Sequence, residues 1–137
     1  MTPKSRRMAG ILLLFLPLVI YGGVSLVVLL VNDPRYLANP LRQDMWRAGH
    51  AHAGVLLILS LVALRYVDAA RLSNAAREWV RHAIPAAAVL LPLGFFLSVA
   101  DPSSREPNGL LYLVYLGALL LASALIVLGT GLIRSPE

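Results

Sequence analysis

Four long windows of the sequence contain no Asp, Glu, Lys or Arg, and they constrain the fold more than any other feature. They cover residues 8–32, 48–64, 82–100 and 107–133. All twelve Lys and Arg residues and all seven Asp and Glu residues lie outside these windows. About 20 consecutive apolar residues cross the hydrocarbon core of a bilayer as a helix. The sequence therefore predicts an integral membrane protein with four spans.

The predicted fold class is all-α, a bundle of four transmembrane helices that run alternately up and down. Short connectors favour antiparallel packing between helices that are neighbours in sequence. We expect one domain over residues 1–137, with helices near 8–31, 46–67, 78–100 and 109–133.

Two local patterns predict how the later helices begin and pack. Ser73 or Asn74 precedes the third helix, and such side chains are preferred at helix N-caps. Ala118, Ala122 and Gly129 form a stripe of small residues along the fourth helix, and small residues let helices approach closely. We therefore expect this stripe to face a neighbouring helix.

The distribution of basic residues predicts the orientation. An even number of spans places both termini on one side, which then carries eight of the twelve Lys and Arg residues. Because basic residues are enriched on the cytoplasmic side, we expect a multi-pass cell membrane protein with cytoplasmic N- and C-termini. The connectors 32–46 and 101–108 then face outward.

The basic residues flank apolar spans and do not cluster on one solvated face, so nucleic acid is not an expected partner. The expected partners are the lipid bilayer and either further copies of this chain or a larger membrane complex. The chain has no cysteine, which excludes disulfides, thiolate zinc sites, iron–sulfur clusters and a cysteine nucleophile.

The segment 47–54, Arg-Ala-Gly-His-Ala-His-Ala-Gly, is the strongest candidate for chemistry and lies at the outer end of the second helix. His50 and His52 are separated by about 200° around a helix, so they cannot bind one metal ion from the same face. We predict that one of them binds haem b or a transition metal. His50 is preferred because it shares a face with Gly54, which leaves room for a bulky group. The alternatives are a group that handles protons or contacts a substrate through a hydrogen bond, or two interfacial histidines without a ligand.

Polar groups elsewhere on the outer side could support these histidines. Asp44, Asp101 and Glu106 lie in the outer connectors and could form a nitrogen–oxygen metal site with His50 or His52. Tyr112 and Tyr115 are three residues apart on the fourth helix and could donate hydrogen bonds to the histidines. An aromatic belt at the membrane interface is the alternative role for these tyrosines.

Other residues bear on packing and on the remaining histidine. His82 begins the membrane part of the third helix, roughly 25 Å from His50 along the bilayer normal, and is expected to be solvated. Gly49 and Ala53 should face a close neighbouring helix. Pro17 and Pro92 lie at similar depths, and paired kinks there could open a cavity near the midplane.

The stretch 39–60, in which His50 or His52 is followed by Gly54, resembles the second helix of haem-copper oxidase subunit I. The resemblance implies that this histidine is a haem ligand. The chain departs from that family by its smaller number of helices and by the absence of a histidine cluster for copper, which excludes a binuclear oxygen-reducing centre. In size and number of spans the chain is also similar to the four-helix hydroxylaminobenzene mutases, which implies a small membrane enzyme.

The preferred function is a haem- or metal-binding bundle, or an accessory subunit of a larger membrane complex, with a histidine site on the outward side. Histidines that could act as ligands lie at only one depth of the predicted bundle, so a partner or a second copy would complete the site. The alternatives are a membrane-embedded isomerase or other small enzyme that acts on an apolar substrate, and a purely structural bundle.

Overall fold

The computed structural model describes residues 1–134, which are predominantly helical and contain no strand. The helices are α1 (Pro3–Asn32), the short α2 (Pro34–Leu37), α3 (Pro40–Val67), α4 (Asn74–Leu97) and α5 (Tyr112–Ile133), which a 3-10 turn at Gly109–Leu111 precedes. Four of these segments, α1, α3, α4 and α5 with its turn, are long and apolar enough to cross a membrane. The all-α prediction is confirmed, and the length and composition of these helices indicate a multi-pass membrane protein.

Three of the long helices begin earlier than their charge-free windows because polar side chains cap them. The side chains of Thr2, Asn39 and Ser73 each accept a hydrogen bond from a backbone N–H in the first turn of α1, α3 and α4. Pro3 and Pro40 occupy the first helical position of α1 and α3, where proline costs no hydrogen bond. The predicted N-cap of the third span is confirmed at Ser73.

The spans do not pack equally. Helices α3 and α4 form the centre, with α1 against α3 and α5 against α4, while α1 has no comparably close packing with α4 or α5. Of the residues in α1, only Ser5 and Leu12 are buried. The bundle is consequently open between α1 and α4.

Glycines bring the backbones of α4 and α5 together. A Cβ atom at Gly94 would lie 2.7 Å from the backbone nitrogen of Val114, and one at Gly117 would lie 3.1 Å from that of Leu91. The contact at Gly94 leaves no room for a Cβ atom, and the one at Gly117 would require the neighbouring backbone to shift by a few tenths of an ångström.

The face of α5 that packs inward differs from the predicted stripe. Its small buried residues are Gly117, Ala124 and Gly131, spaced seven apart. Ala118 and Ala122 are exposed, so the prediction that their stripe faces a helix was wrong. The residues that pack inward lie one or two positions along the helix from the predicted ones. At Gly117 the backbone of α5 closely approaches that of α4.

Both described ends of the chain lie at one end of the bundle, here called the terminal end. The backbone N–H of Arg71, in the connector between α3 and α4, donates to the carbonyl of Gly131 near the end of α5, at 3.1 Å. The N-terminus of α1 meets the same connector through Asp68, which accepts a hydrogen bond from the backbone N–H of Thr2 at 2.6 Å.

A group of polar residues, here called the polar lock, fastens the start of α1 to α3 and α4. It consists of Thr2, Ser5, Asp68 and Arg81. The side chain of Arg81 is only 3% exposed, and it donates from Nε to Ser5 Oγ and from Nη2 to Asp68 Oδ1, each at 3.1 Å. Burial by itself would raise the pKa of Asp68, but hydrogen bonds from Thr2, Ser5 and Arg81 outweigh it and hold this pKa below the ordinary value.

The opposite end of the bundle is closed by an aromatic cluster. Trp46 on α3 donates from Nε1 to the carbonyl of Phe96 on α4 at 3.2 Å and packs edge-on against the Phe96 ring. The guanidinium of Arg42 lies 4.1 Å from the Trp46 ring centre and donates to the carbonyl of Ala100. Tyr36 on α2 is buried against Trp46. These contacts fix the start of α3 against the end of α4.

Candidate functional site

The open side between α1 and α4 forms a groove of about 520 Å³ with α3 as its floor. Its walls are almost entirely aliphatic and aromatic, and among residues 1–134 the only two lining residues with ionisable side chains are His50 and His82. His50 lies toward the opposite end of the bundle and His82 toward the terminal end. The groove therefore offers an apolar channel with one imidazole near each end.

His50 packs against a pair of glycines in α1. A Cβ atom at Gly23 would lie 2.9 Å from His50 Nε2, and one at Gly22 would lie 3.7 Å from Nδ1. In the observed rotamer the imidazole lies where a Cβ atom at Gly23 would crowd it, so Gly23 lets α1 approach the ring closely. Within residues 1–134 the ring is partly buried and has no hydrogen-bond partner.

Gly54 lies one turn from His50 and faces the same helix. A Cβ atom at Gly54 would lie 3.7 Å from Cγ1 of Val19 in α1. The shared face of His50 and Gly54 is thus the face toward α1. In the observed conformation Nε2 lies against Gly23, so the imidazole must rotate about its side-chain bonds to direct Nε2 into the groove.

His52 points to a different part of the surface. Its Nδ1 donates to the carbonyl of Ala48 at 2.7 Å, because a carbonyl oxygen can only accept. Its ring is exposed and lies with its centre 5.1 Å from that of Phe95. His52 does not line the groove, and the two imidazoles occupy separate environments, in accord with their angular separation.

The close approach predicted along the face of Gly49 is confirmed. A Cβ atom at Gly49 would lie 3.1 Å from Cβ of Phe95 and 3.1 Å from Cε2 of Phe96. Ala53, four residues on, lines the groove. This glycine allows α3 and α4 to approach each other directly beside His50.

The aspartates proposed as metal ligands are engaged elsewhere. Asp44 forms an exposed ion pair with Arg47 at 2.6 Å. Asp101 accepts hydrogen bonds from the side chain and backbone of Ser103, and these lower the pKa of Asp101. No group of three or more His, Asp or Glu side chains that could hold a metal occurs in the part of the chain that the structure describes. The geometry thus gives no support to a metal site that joins these aspartates to His50 or His52, and that site stays a prediction.

The two tyrosines pack on each other and not on the histidines. The ring centres of Tyr112 and Tyr115 are 5.9 Å apart in an edge-on arrangement, and both side chains are exposed. Neither is hydrogen-bonded to a histidine among the described residues. This placement favours the aromatic-belt role over support of a histidine site.

Sequence reasoning missed two features that shape the groove. The first is the pair Gly22–Gly23, although adjacent glycines inside an apolar helix are costly and are a recognisable signal of close approach. The second is Pro85, which lines the groove together with Pro92. Because proline lacks an N–H, these two residues remove the usual helical donors to the carbonyls of Arg81 and Ala88. Pro17, by contrast, is exposed and lies outside the groove.

Comparison with known proteins adds no relative. No protein family model, curated protein or solved structure matches the chain. The resemblances to haem-copper oxidase subunit I and to hydroxylaminobenzene mutases therefore stay predictions, and the function has to be argued from the groove.

Proposed function

We propose that this protein binds a membrane-resident prosthetic group or small ligand in the groove between α1 and α4, with His50 as the contacting residue and haem b as the first occupant to test. The observation that carries this proposal is an imidazole without a hydrogen-bond partner that packs on two glycines at the edge of an apolar groove. The ring is partly buried beside apolar walls, so a ligand that contacts it would satisfy its polar nitrogens.

The depth of His50 supports this role. It packs at Gly22 and Gly23, about ten residues before the end of α1 at Asn32, which corresponds to about 15 Å along the helix axis. The imidazole consequently lies beside the apolar part of α1 and not at its polar end. Ionisable side chains at such a depth are rare and are associated with function.

The surroundings of His50 favour haem over an isolated metal ion. Neutral imidazole is the usual proximal ligand of haem iron, and the groove beside His50 offers apolar walls to a flat group. Within the described range 1–134, no acidic side chain lines the groove to complete a small metal site. His82, the other histidine of the groove, lies at its far end, so a second histidine ligand would have to come from a partner or a second copy.

The isomerase alternative receives less support from the same geometry. Acid–base catalysis ordinarily uses two positioned groups that exchange protons with the substrate. His50 has no second ionisable side chain near it in the groove. A purely structural bundle is the outcome if the groove holds nothing specific.

The test is to purify the protein in a mild detergent from haem-replete membranes and to measure the Soret absorbance and the metal content. We expect wild type to retain haem and His50→Ala to lose it. His52→Ala and His82→Ala are matched controls, which should retain it because neither imidazole lies near His50. Equal retention in His50→Ala would assign the bound group to another residue. A colourless, metal-free wild type would overturn the haem assignment.

The proposed orientation, with cytoplasmic termini, rests on the eight-to-four distribution of basic residues. Single cysteines placed at Ser104 and Ser73 should be labelled from opposite sides of the membrane by an impermeant thiol reagent, with Ser104 outside. Labelling of Ser73 from outside would reverse the orientation.

A further inference from the structure

The groove does not end at His82 but continues into a polar cavity at the terminal end of the bundle. This second cavity measures about 370 Å³. Met8, Ile11 and His82 line both cavities, so the apolar groove and the polar cavity are continuous. The combined space is apolar along most of its length and polar at one end. It therefore matches an amphiphilic molecule with a long apolar chain and a polar headgroup.

The polar cavity has more positive than negative side chains, and the positive ones are not equivalent. Lys4 is paired with Glu78 at 2.7 Å, and the buried guanidinium of Arg81 is held by Glu78 and the polar lock. Arg7 is exposed and has no ion pair or hydrogen bond among residues 1–134. The ring of His82 donates from Nδ1 to the carbonyl of Glu78 at 2.9 Å, which leaves Nε2 unused.

We propose that Arg7 binds the phosphate of an anionic phospholipid whose acyl chain lies in the groove. A guanidinium recognises phosphate oxygens with two parallel hydrogen bonds, and a basic residue near an anionic membrane surface contributes about 1 kcal/mol of attraction. The apolar walls along Phe15 and Val89 then cover the chain. This site goes beyond the proposed role of His50 and does not depend on it.

The length of the groove fits this occupant. Arg7 and Gly22 are fifteen residues apart on α1, which corresponds to about 22 Å along the helix. One leaflet is about half of a hydrocarbon core of about 30 Å. A single acyl chain that starts at Arg7 can therefore extend through its own leaflet inside the groove and approach the level of His50.

The first experiment compares two lipids that differ in headgroup charge. The protein is placed in nanodiscs of phosphatidylglycerol or phosphatidylcholine, and the lipids retained after transfer to detergent are counted by native mass spectrometry. We expect wild type to retain phosphatidylglycerol preferentially, and Arg7→Gln to lower this preference about fivefold, which corresponds to the contribution of one basic residue. Arg6→Gln removes the same charge from the neighbouring position outside the cavity and should lower the preference less, because Arg6 does not reach a phosphate held in the cavity.

The second experiment blocks the path of the acyl chain. Ala86 is exposed in the groove, so Ala86→Phe should reduce the retained lipid, whereas Ala118→Phe on the exposed face of α5 should not. Equal retention of the two lipids by wild type would overturn the proposal, as would equal effects of Arg6→Gln and Arg7→Gln. His50→Ala should keep the phosphatidylglycerol preference, so loss of haem and loss of lipid report separately on the two sites.

Discussion

Helices α1 and α5 are the two most hydropathic spans and both lie at the edge of the bundle, yet they are attached in different ways. Helix α5 buries Gly117, Ala124 and Gly131 in close contact with α4 and the connector after α3. Helix α1 buries only Ser5 and Leu12. Similar hydropathy thus predicts that both helices enter a membrane but does not predict how tightly either one packs.

The difference follows from the forces available in lipid. Lipid tails are as apolar as leucine, so helices gain little from hiding aliphatic side chains from them, and packing depends on small residues and polar contacts. Helix α5 has glycines that admit the backbone of α4. Helix α1 is held by the polar lock at one end and by the contact between His50 and the glycine pair farther along. The groove occupies the side of α1 that faces α4 between these two attachments.

The largest expected effect comes from breaking the attachment of α1 at the polar lock. Arg81→Met should lower the free energy of unfolding by about 3–5 kcal/mol, because it leaves the carboxylate of Asp68 buried without its cation. Unfolding in detergent, followed by circular dichroism, measures this loss. Arg65→Met is the matched control, since Arg65 is exposed on α3. Equal stability of both variants would show that the lock does not hold α1.

An added methyl group should weaken the packing of α5 against α4. Gly94→Ala places a Cβ atom 2.7 Å from the backbone of α5 and should cost about 1–3 kcal/mol by overpacking. Gly129→Ala introduces the same methyl where no atom lies within 4 Å, and it should be neutral or slightly stabilising. The same unfolding measurement applies, and similar losses in both variants would contradict the close approach of α4 and α5.

The pH dependence of stability sharpens the role of the lock. Because the pKa of Asp68 is lower in the folded state, its stabilisation is complete above the ordinary value near 3.8 and is lost as the pH falls through the folded-state pKa. We expect the stability difference between wild type and Asp68→Asn to be constant from about pH 5 to 7 and to shrink below about pH 4. The carboxylates of Asp33 and Asp101 are present in both proteins and cancel in the difference. A difference that grows on acidification would contradict this assignment.

The smallest effect on stability is expected where α1 meets His50. Gly23→Ala places a Cβ atom 2.9 Å from Nε2, and because the imidazole can rotate away, the cost should stay below about 1 kcal/mol. The same variant should nonetheless change the occupancy of the groove, because it displaces the contacting residue. Gly10→Ala, also on α1 but with no atom within 4 Å, is the control for both measurements.

The sequence by itself determined the all-α class, the four apolar spans and the divergent directions of His50 and His52. Charge-free length and helical geometry fix these properties locally, so they need no knowledge of neighbouring helices. The N-cap at Ser73 and the close helix approach at Gly49 could also be predicted from the sequence, because each depends on residue type and on position within one helix.

Only the tertiary structure decided which faces meet. It placed Gly22 and Gly23 beneath His50, moved the packing face of α5 away from Ala118, and paired Arg81 with Asp68 and Ser5 across three helices. In a membrane, apolar periodicity does not separate a lipid-facing side from a helix-facing side, because both are apolar. The site therefore arises from contacts between residues far apart in sequence. The groove between α1 and α4 could not be predicted from the sequence of any single helix.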